Sequence, residues 1–166
     1  RLRASGFDYF KVDFTQRTPS GATMRSAPDS DGVWGVAALH RLVSRLHAAA
    51  HRVKSDALVV THTVHPSFGD VTDMIRTNDV LKHDVTGRPV SVAAQLRARH
   101  EIVAAVLPGY PVDTDQWPMP NRDEWLDYSH AQAQLGVPAL YYLERVRPGE
   151  PIDAQHLAAI GRTWDE

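Results

Sequence analysis

The sequence predicts an α/β fold built on a parallel sheet, and three observations support this class. Short apolar segments typical of buried strands alternate with amphipathic segments typical of helices along the 166 residues. The composition is that of one globular domain, with 43% hydrophobic residues, 23% charged residues and a formal net charge of -2. About five strand-helix units fit the chain, where a complete (β/α)₈ barrel has eight. We therefore predict a partial (β/α)₈ TIM barrel, and a complete doubly wound sheet is the alternative.

The first predicted strand, Tyr9 to Phe14, alternates apolar and charged side chains. Lys11 and Asp13 share one face of this strand, and Phe10 and Val12 share the other. A carboxylate at the carboxyl end of a parallel strand lies where barrel enzymes place their catalytic groups. The neighbouring lysine favours the ionised form of that carboxylate. The polar stretch 15–31 follows and predicts a long surface loop.

The next segments predict two further strands and their helices. The segment 34–53 predicts an amphipathic helix whose apolar positions are Trp34, Ala38, Leu42, Leu46, Ala49 and Val53. The apolar run 57–61 predicts a strand buried on both faces. The segment 71–80 predicts a strand whose carboxyl end presents Arg76 and Asp79, and 90–107 predicts the helix that follows it.

The last third of the chain repeats this alternation. A brief strand at 110–112 precedes Asp113, Asp115 and Trp117, and Trp117 is a candidate platform for stacking a sugar ring or, alternatively, a packed residue. Asn121 and Glu124 predict a capping box for a helix through Leu135, which Gly136 ends. The segment 137–146 predicts the last strong strand, and Asp153 predicts the cap of a final helix that includes Trp164.

Composition excludes several functional classes. The chain has no cysteine, so disulfides and thiolate metal sites are excluded. No long basic run indicates nucleic-acid binding, and no apolar run approaches the length of a membrane-spanning helix. No signal peptide is visible, which leaves the compartment open with the cytoplasm slightly favoured. Because the chain enters strand-forming sequence almost at once and lacks an initiating Met, we expect residues 1–166 to be the C-terminal part of a catalytic barrel.

Two carboxylates indicate a reaction class. Asp13 and Asp79 each follow a predicted strand, and the carboxyl ends of parallel strands open on one rim. Glycoside hydrolysis needs two carboxyl groups, one that attacks the anomeric carbon and one that protonates the leaving oxygen. The alternative is that each aspartate caps a loop or a helix, which is a common role for this residue.

The two motifs resemble those of one enzyme family. The stretch Gly6-Phe7-Asp8-Tyr9-Phe10-Lys11-Val12-Asp13-Phe14 resembles the fourth-strand signature of the α-galactosidase (melibiase-like) clan of retaining glycoside hydrolases. The stretch Arg76-Thr77-Asn78-Asp79-Val80 resembles the sixth-strand motif of the same clan. The resemblance implies a (β/α)₈ barrel of which this chain spans about strands 4 to 8.

The resemblance also implies roles for individual residues. Asp13 corresponds to the nucleophile and Asp79 to the acid/base, while Lys11 and Arg76 correspond to ligands of sugar hydroxyls. His62, which follows the next strand, is a further candidate for binding a hydroxyl group. The implied activity is hydrolysis of α-galactosides or related α-glycosides through a glycosyl-aspartate intermediate. It requires neither a metal nor an organic cofactor.

Two other functions stay open at this point. Imidazole and carboxylate groups suit zinc, so a metal-dependent barrel hydrolase is one alternative. Its candidate ligands are His62, His65, His83, His100, Asp73, Asp79 and Asp84. The other alternative is a catalytically inert, carbohydrate-binding barrel fragment. Because a partial barrel has open sheet edges, we expect the chain to self-associate or to pair with the missing part of the barrel.

Overall fold

The computed structural model describes most of the chain as strands and helices in alternation. It describes residues 6–13, 35–77, 79–81, 83–115, 119–139, 144–147 and 149–165. The strands are β1 (Tyr9–Val12), β2 (Leu58–Thr61), β3 (Met74–Arg76), β4 (Val112–Asp113), β5 (Arg145–Arg147) and β6 (Glu150–Pro151). The helices are α1 (Gly35–Val53), α2 (Val92–Val106), α3 (Arg122–Leu135) and α4 (Ala154–Trp164). The α/β class predicted from the sequence is therefore confirmed.

The first four strands form a parallel sheet in the order β1-β2-β3-β4. Val12 pairs with Thr61, and Thr61 pairs with Ile75, so the first three strands end at the same edge of the sheet. An isolated parallel bridge between Asp113 and Val137 continues the pairing beyond β4. This parallel arrangement is compatible with a partial barrel, and the pairing of Val12 with Thr61 brings the residues that follow β1 and β2 to one edge.

The chain divides into two compact units, Arg1–Ile75 and Arg76–Glu166, and each has its own apolar core. The core of the first unit consists of Leu39, Val43, Phe68 and Val71. The core of the second unit is larger and joins α2, α3 and α4 through Val80, Val92, Leu96, Met119, Trp125, Tyr128, Ala131, Val146, Ile152 and Ile160. Each unit therefore excludes water from a separate set of side chains.

The ends of the later helices follow the predicted caps. The Asn121 side chain accepts a hydrogen bond from the Glu124 amide at 2.9 Å, so α3 starts at the predicted cap. The other half of the predicted capping box is replaced, because the Glu124 carboxylate bonds to a different helix. The Glu124 carboxylate accepts from the Val92 amide at 2.9 Å, so it caps the first turn of α2. Gly136 caps the end of α3, and only glycine fits there because a β-carbon would collide with the Val112 carbonyl of β4.

Three predictions about individual elements are wrong in part. In α1 the buried residues are Gly35, Leu39 and Val43, whereas Leu42, Leu46 and Val53 of the predicted apolar stripe are exposed. The strand predicted over 71–80 spans only β3. The middle of the strand predicted over 137–146, residues 140–143, lies outside the described residues. At its described ends, Val137 forms a parallel bridge and 145–146 belong to β5, which pairs antiparallel with β6.

Some predicted features lie outside the described residues, namely the loop 15–31, Trp34 and Trp117. Among the helices that the described residues form, none combines the length and the apolar content needed to cross a membrane.

Candidate functional site

Asp13 lies beside two groups that can carry positive charge. Lys11 Nζ is 3.0 Å from Asp13 Oδ2, and His62 Nε2 is 3.4 Å from Asp13 Oδ1. The register explains the second contact, because Val12 pairs with Thr61 and the residues that follow this pair, Asp13 and His62, leave the sheet side by side. The structure thus brings together three of the side chains singled out in the sequence.

The side chains of this cluster differ in their exposure to solvent. The Asp13 side chain is 43% exposed, whereas the His62 side chain is 5% exposed. Asp13 borders a cleft of about 910 Å³ between β1 and the second half of α1, whose apolar lining includes Phe10, Leu46 and Val53. This volume is within the range of ligand-binding clefts. The carboxylate is therefore fixed by its neighbours and still accessible to a small molecule.

The end of β2, which carries His62, is held by buried hydroxyl groups. Thr72 Oγ1 donates to the Val59 carbonyl at 3.1 Å, and it lies 3.0 Å from the Met74 carbonyl of β3. Thr61 is fully buried, with Oγ1 3.5 Å from Thr72 Oγ1. These contacts fix the position from which His62 approaches Asp13, as a preorganised site requires.

The second unit contains a buried charged cluster at the carboxyl ends of β3 and β4. Arg76 Nε is 3.2 Å from Asp113 Oδ2, and Arg76 NH2 is 3.0 Å from Asp115 Oδ1. The side chains of Arg76, Asp113 and Asp115 are 4%, 7% and 13% exposed. In this structure the guanidinium predicted to bind sugar is thus engaged by two carboxylates, and its role as a sugar ligand stays a prediction.

Helix α3 braces the turn that carries these carboxylates. The Tyr128 hydroxyl donates to the Thr114 carbonyl at 2.6 Å, and Thr77 Oγ1 donates to the same oxygen at 2.9 Å. Gln132 Nε2 donates to the carbonyls of Asp115 and Ala139. Burial raises the pKa of Tyr128 far above its ordinary value, so the phenol stays neutral and acts as a hydrogen-bond donor. These hydrogen bonds fix the turn at the carbonyls of Thr114 and Asp115.

Asp79, the predicted acid/base, is exposed. Its neighbour in the second unit is Arg99: burial lowers the pKa of Arg99, and the nearby Asp79 carboxylate acts in the opposite sense. Asp13 and Asp79 belong to different units, and each is described within its own unit. The acid/base role of Asp79 therefore stays a prediction, as does the role of Trp117, which lies outside the described residues.

A third cluster, which we call the α1 histidine cluster, consists of His47, His51 and Asp73. His47 Nε2 is 3.3 Å from Asp73 Oδ1, and His51 Nε2 is 3.0 Å from Asp73 Oδ2. The hydrogen bond to Asp73 raises the pKa of His51. Burial alone would raise the pKa of Asp73, but hydrogen bonds from the Val59 amide, His51 and His47 outweigh it and lower this pKa.

The α1 histidine cluster contains residue types that bind metal ions. Within the residues described, it is the one set of three or more imidazole and carboxylate groups close enough to share an ion. Of the ligands predicted from the sequence, Asp73 belongs to it, whereas the His62 ring contacts Asp13 and the His65 ring bonds to Ser67. Asp84 organises a turn by accepting from the Thr86 and Arg88 amides.

Comparisons of this chain with protein-family models, with curated proteins and with solved structures found no match. We therefore infer the function from the geometry of the three clusters.

Two of these clusters were missed in the sequence, although each leaves a signal there. His47 and His51 are four residues apart in a segment predicted as a helix, a spacing that places both rings on one face. Asp113 and Asp115 follow a predicted strand with one residue between them, a spacing that can direct two carboxylates to one point. No comparable local signal links Tyr128 or Gln132 to that turn.

Proposed function

We propose that this chain is part of a retaining glycoside hydrolase that acts on α-galactosides or related α-glycosides, with Asp13 as the nucleophile. The observation that carries the proposal is the position of Asp13, held by Lys11 and His62 at the carboxyl end of a parallel strand and open to a cleft. Barrel enzymes carry their catalytic groups at this end of the sheet. The proposal includes a (β/α)₈ barrel, of which the parallel sheet would be a part.

The chemistry of the proposed reaction requires an ionised, accessible carboxylate. Asp13 would form a bond to the anomeric carbon as the bond from that carbon to the leaving oxygen breaks. The Lys11 ammonium, 3.0 Å away, favours the carboxylate over the acid and can also donate to a sugar hydroxyl. His62 is well placed to fix the orientation of the second carboxylate oxygen. The Asp13 side chain is 43% exposed beside these two contacts, so a substrate can reach it.

The second carboxyl group of the proposed mechanism is Asp79. Its proton would pass to the leaving oxygen in the first step. In the second step a water molecule would give a proton to Asp79 and attack the anomeric carbon, which breaks the bond from that carbon to Asp13. Asp79 is exposed, so the proposed acid role requires a bound substrate that covers this carboxyl group. Arg76 would contribute by ordering the end of β3, where its ion pairs hold the strand.

The test compares two aspartates at opposite ends of β1. Asp13→Gly should lower the turnover of an aryl α-galactoside by roughly 10³-fold or more, because no other group forms the glycosyl bond. Added azide should restore turnover and give a glycosyl azide of inverted configuration, since azide fills the space left by the carboxylate. Activity is measured for the 166-residue chain and for any longer polypeptide that contains it.

The matched control is Asp8→Gly. Asp8 precedes β1 and pairs with Lys54 at 3.1 Å, much as Asp13 pairs with Lys11. The Asp8→Gly variant should retain the turnover of the parent chain, and azide should not change its rate. If both variants keep the activity of the parent chain, Asp13 is not the nucleophile. Sugar binding without turnover in every form would instead favour the inert carbohydrate-binding fragment.

A further inference from the structure

We propose that the α1 histidine cluster is a binding site for a divalent transition-metal ion of the zinc class, with His47, His51 and Asp73 as ligands. This site is separate from the proposed reaction and does not depend on it. Asp73 lies at the amino-terminal end of β3, and the cluster therefore lies at the edge of the sheet opposite to Asp13. In barrels this edge contributes to stability and not to catalysis.

Helix geometry supplies the first two ligands. His47 and His51 are four residues apart in α1, and their rings lie with centroids 4.1 Å apart at an angle of 38°. Both Nε2 atoms are directed at one carboxylate, and each meets a different oxygen of it. The ligand atoms of the three residues all lie within 4.8 Å of one another. The ligand set is therefore already convergent.

The nitrogen-to-oxygen distances are compatible with a metal site, as they are with hydrogen bonds. Zinc binds imidazole nitrogen and carboxylate oxygen at about 2.0–2.1 Å, so tetrahedral ligand atoms lie about 3.3 Å apart. The two nitrogen-to-oxygen distances in the cluster are 3.3 and 3.0 Å. Two imidazoles and one carboxylate form a set that suits zinc and its neighbours in the transition series, whereas calcium and magnesium prefer oxygen ligands alone. A fourth position would be left for water.

Outer contacts fix the ligands in the required form. His51 Nδ1 lies 3.0 Å from the Ser55 carbonyl, which can only accept, so Nδ1 carries a proton. A metal ion would displace the proton by which Nε2 bonds to Asp73 and would take Nε2 as its ligand. The Val59 amide donates to Asp73 Oδ2 at 2.8 Å and holds the carboxylate in place. Metal-bound histidines and carboxylates are oriented by such contacts in other proteins.

The position of the site between α1 and the sheet indicates what a bound ion would do to the stability of the first unit. His51 lies near the carboxyl end of α1, and Asp73 connects to both β2 and β3. In this part of α1 the side chains Leu46 and Val53 are exposed, so apolar packing contributes little there. A bound ion would join the end of the helix to the sheet. We infer a structural role, in which the metal stabilises the first unit.

The test is a zinc titration of the metal-free, untagged chain, followed by calorimetry. We expect one ion per chain, and at least a tenfold weaker affinity for each of His47→Gln, His51→Gln and Asp73→Asn. The control is His40→Gln, which removes another histidine of α1 that pairs with a carboxylate, Asp70, at 2.9 Å. This variant should bind zinc as tightly as the parent chain.

A direct measurement on the unaltered chain covers the case in which a variant fails to fold. X-ray absorption at the zinc edge should show two imidazole ligands at about 2.0–2.1 Å. The melting temperature of the chain should also rise with zinc concentration, because the ion binds the folded state. A shell of oxygen ligands alone, or equal affinity in His40→Gln and the two cluster histidine variants, would overturn the proposal.

Discussion

The charged side chain of Arg76 is buried, with 4% of its surface exposed, and it forms ion pairs with two carboxylates. Taking charges out of water is costly, and the cost is offset only when partners of opposite charge are held in good geometry. Asp113 and Asp115 are held in this way by the turn that Tyr128 and Gln132 brace. Arg76 therefore has a structural role in the second unit, whatever it contributes to substrate binding.

Removal of this guanidinium should be strongly destabilising. Arg76→Ala leaves two largely buried carboxylates without their cation, which we expect to lower the free energy of unfolding by about 3–5 kcal/mol. Arg97→Ala is the control, because Arg97 is exposed and bonds to Gln134 on the surface at 3.1 Å. Its effect should be within about 0.5 kcal/mol. Urea unfolding followed by circular dichroism measures both values. An Arg76→Ala variant as stable as Arg97→Ala would contradict the structural role.

At the level of residues, the sequence predicted contacts along one strand better than contacts across the fold. Strand alternation placed Lys11 and Asp13 on one face, and the order of strands suggested that His62 would be near. The partners of Arg76 could not be predicted in this way. They follow a different strand, and only the pairing of Thr77 with Asp113 brings them within reach.

At the level of elements, Asp153 shows how one cap starts α4. Its Oδ1 accepts from the Gln155 and His156 amides at 2.9 and 3.0 Å, and His156 Nδ1 lies 2.7 Å away. The hydrogen bond from the His156 amide is the largest of the causes that lower the pKa of Asp153. The carboxylate is also favoured by the positive end of the helix dipole.

This cap predicts a pH-dependent difference between two variants. Because the pKa of Asp153 is lower in the folded state, its stabilisation is complete above the unfolded pKa of about 3.9 and is lost as the pH falls through the folded value. The parent chain should therefore melt roughly 1–3 °C above Asp153→Asn near pH 7, and the gap should close in strong acid. Melting is followed by circular dichroism.

Asp127→Asn, which changes an exposed carboxylate in the middle of α3, controls for the general effect of charge removal. The cap would be ruled out as the cause if the difference in melting temperature between the parent chain and Asp153→Asn persists at pH 2. It would also be ruled out if Asp127→Asn shows the same difference.

Elements with strong local signals were predicted well, and those decided by packing were not. The side chains of Asn121 and Asp153 begin their helices wherever the helices lie, so α3 and α4 could be located from the sequence. The buried face of α1 could not, because apolar residues occur on more than one face and only packing on Phe68 and Val71 selects Leu39 and Val43. The hairpin of β5 and β6 depends on pairing that a period-two pattern does not reveal.

At the level of the whole molecule, the two units differ in how much apolar surface they bury. Among the described residues, the apolar cluster of the second unit has ten buried members, whereas the cluster that α1 joins in the first unit has four. Resistance to local opening follows buried apolar contact, so the two units should not be equally stable. Helix α1, whose buried side is limited to Gly35, Leu39 and Val43, is expected to open more readily than α3.

Hydrogen exchange measured by mass spectrometry can test this difference. Without added metal, the amides of α3 should exchange at least tenfold more slowly than those of the second half of α1, because α3 buries Trp125, Tyr128 and Ala131 in the larger core. Added zinc should slow exchange around His47 and His51 and leave α3 unchanged, since the ion would join only α1 to the sheet. His40→Gln should respond to zinc as the parent chain does, and His51→Gln should not. Equal exchange in α1 and α3 without metal would show that the smaller core is sufficient to hold α1, and the difference in stability argued from burial would then be wrong.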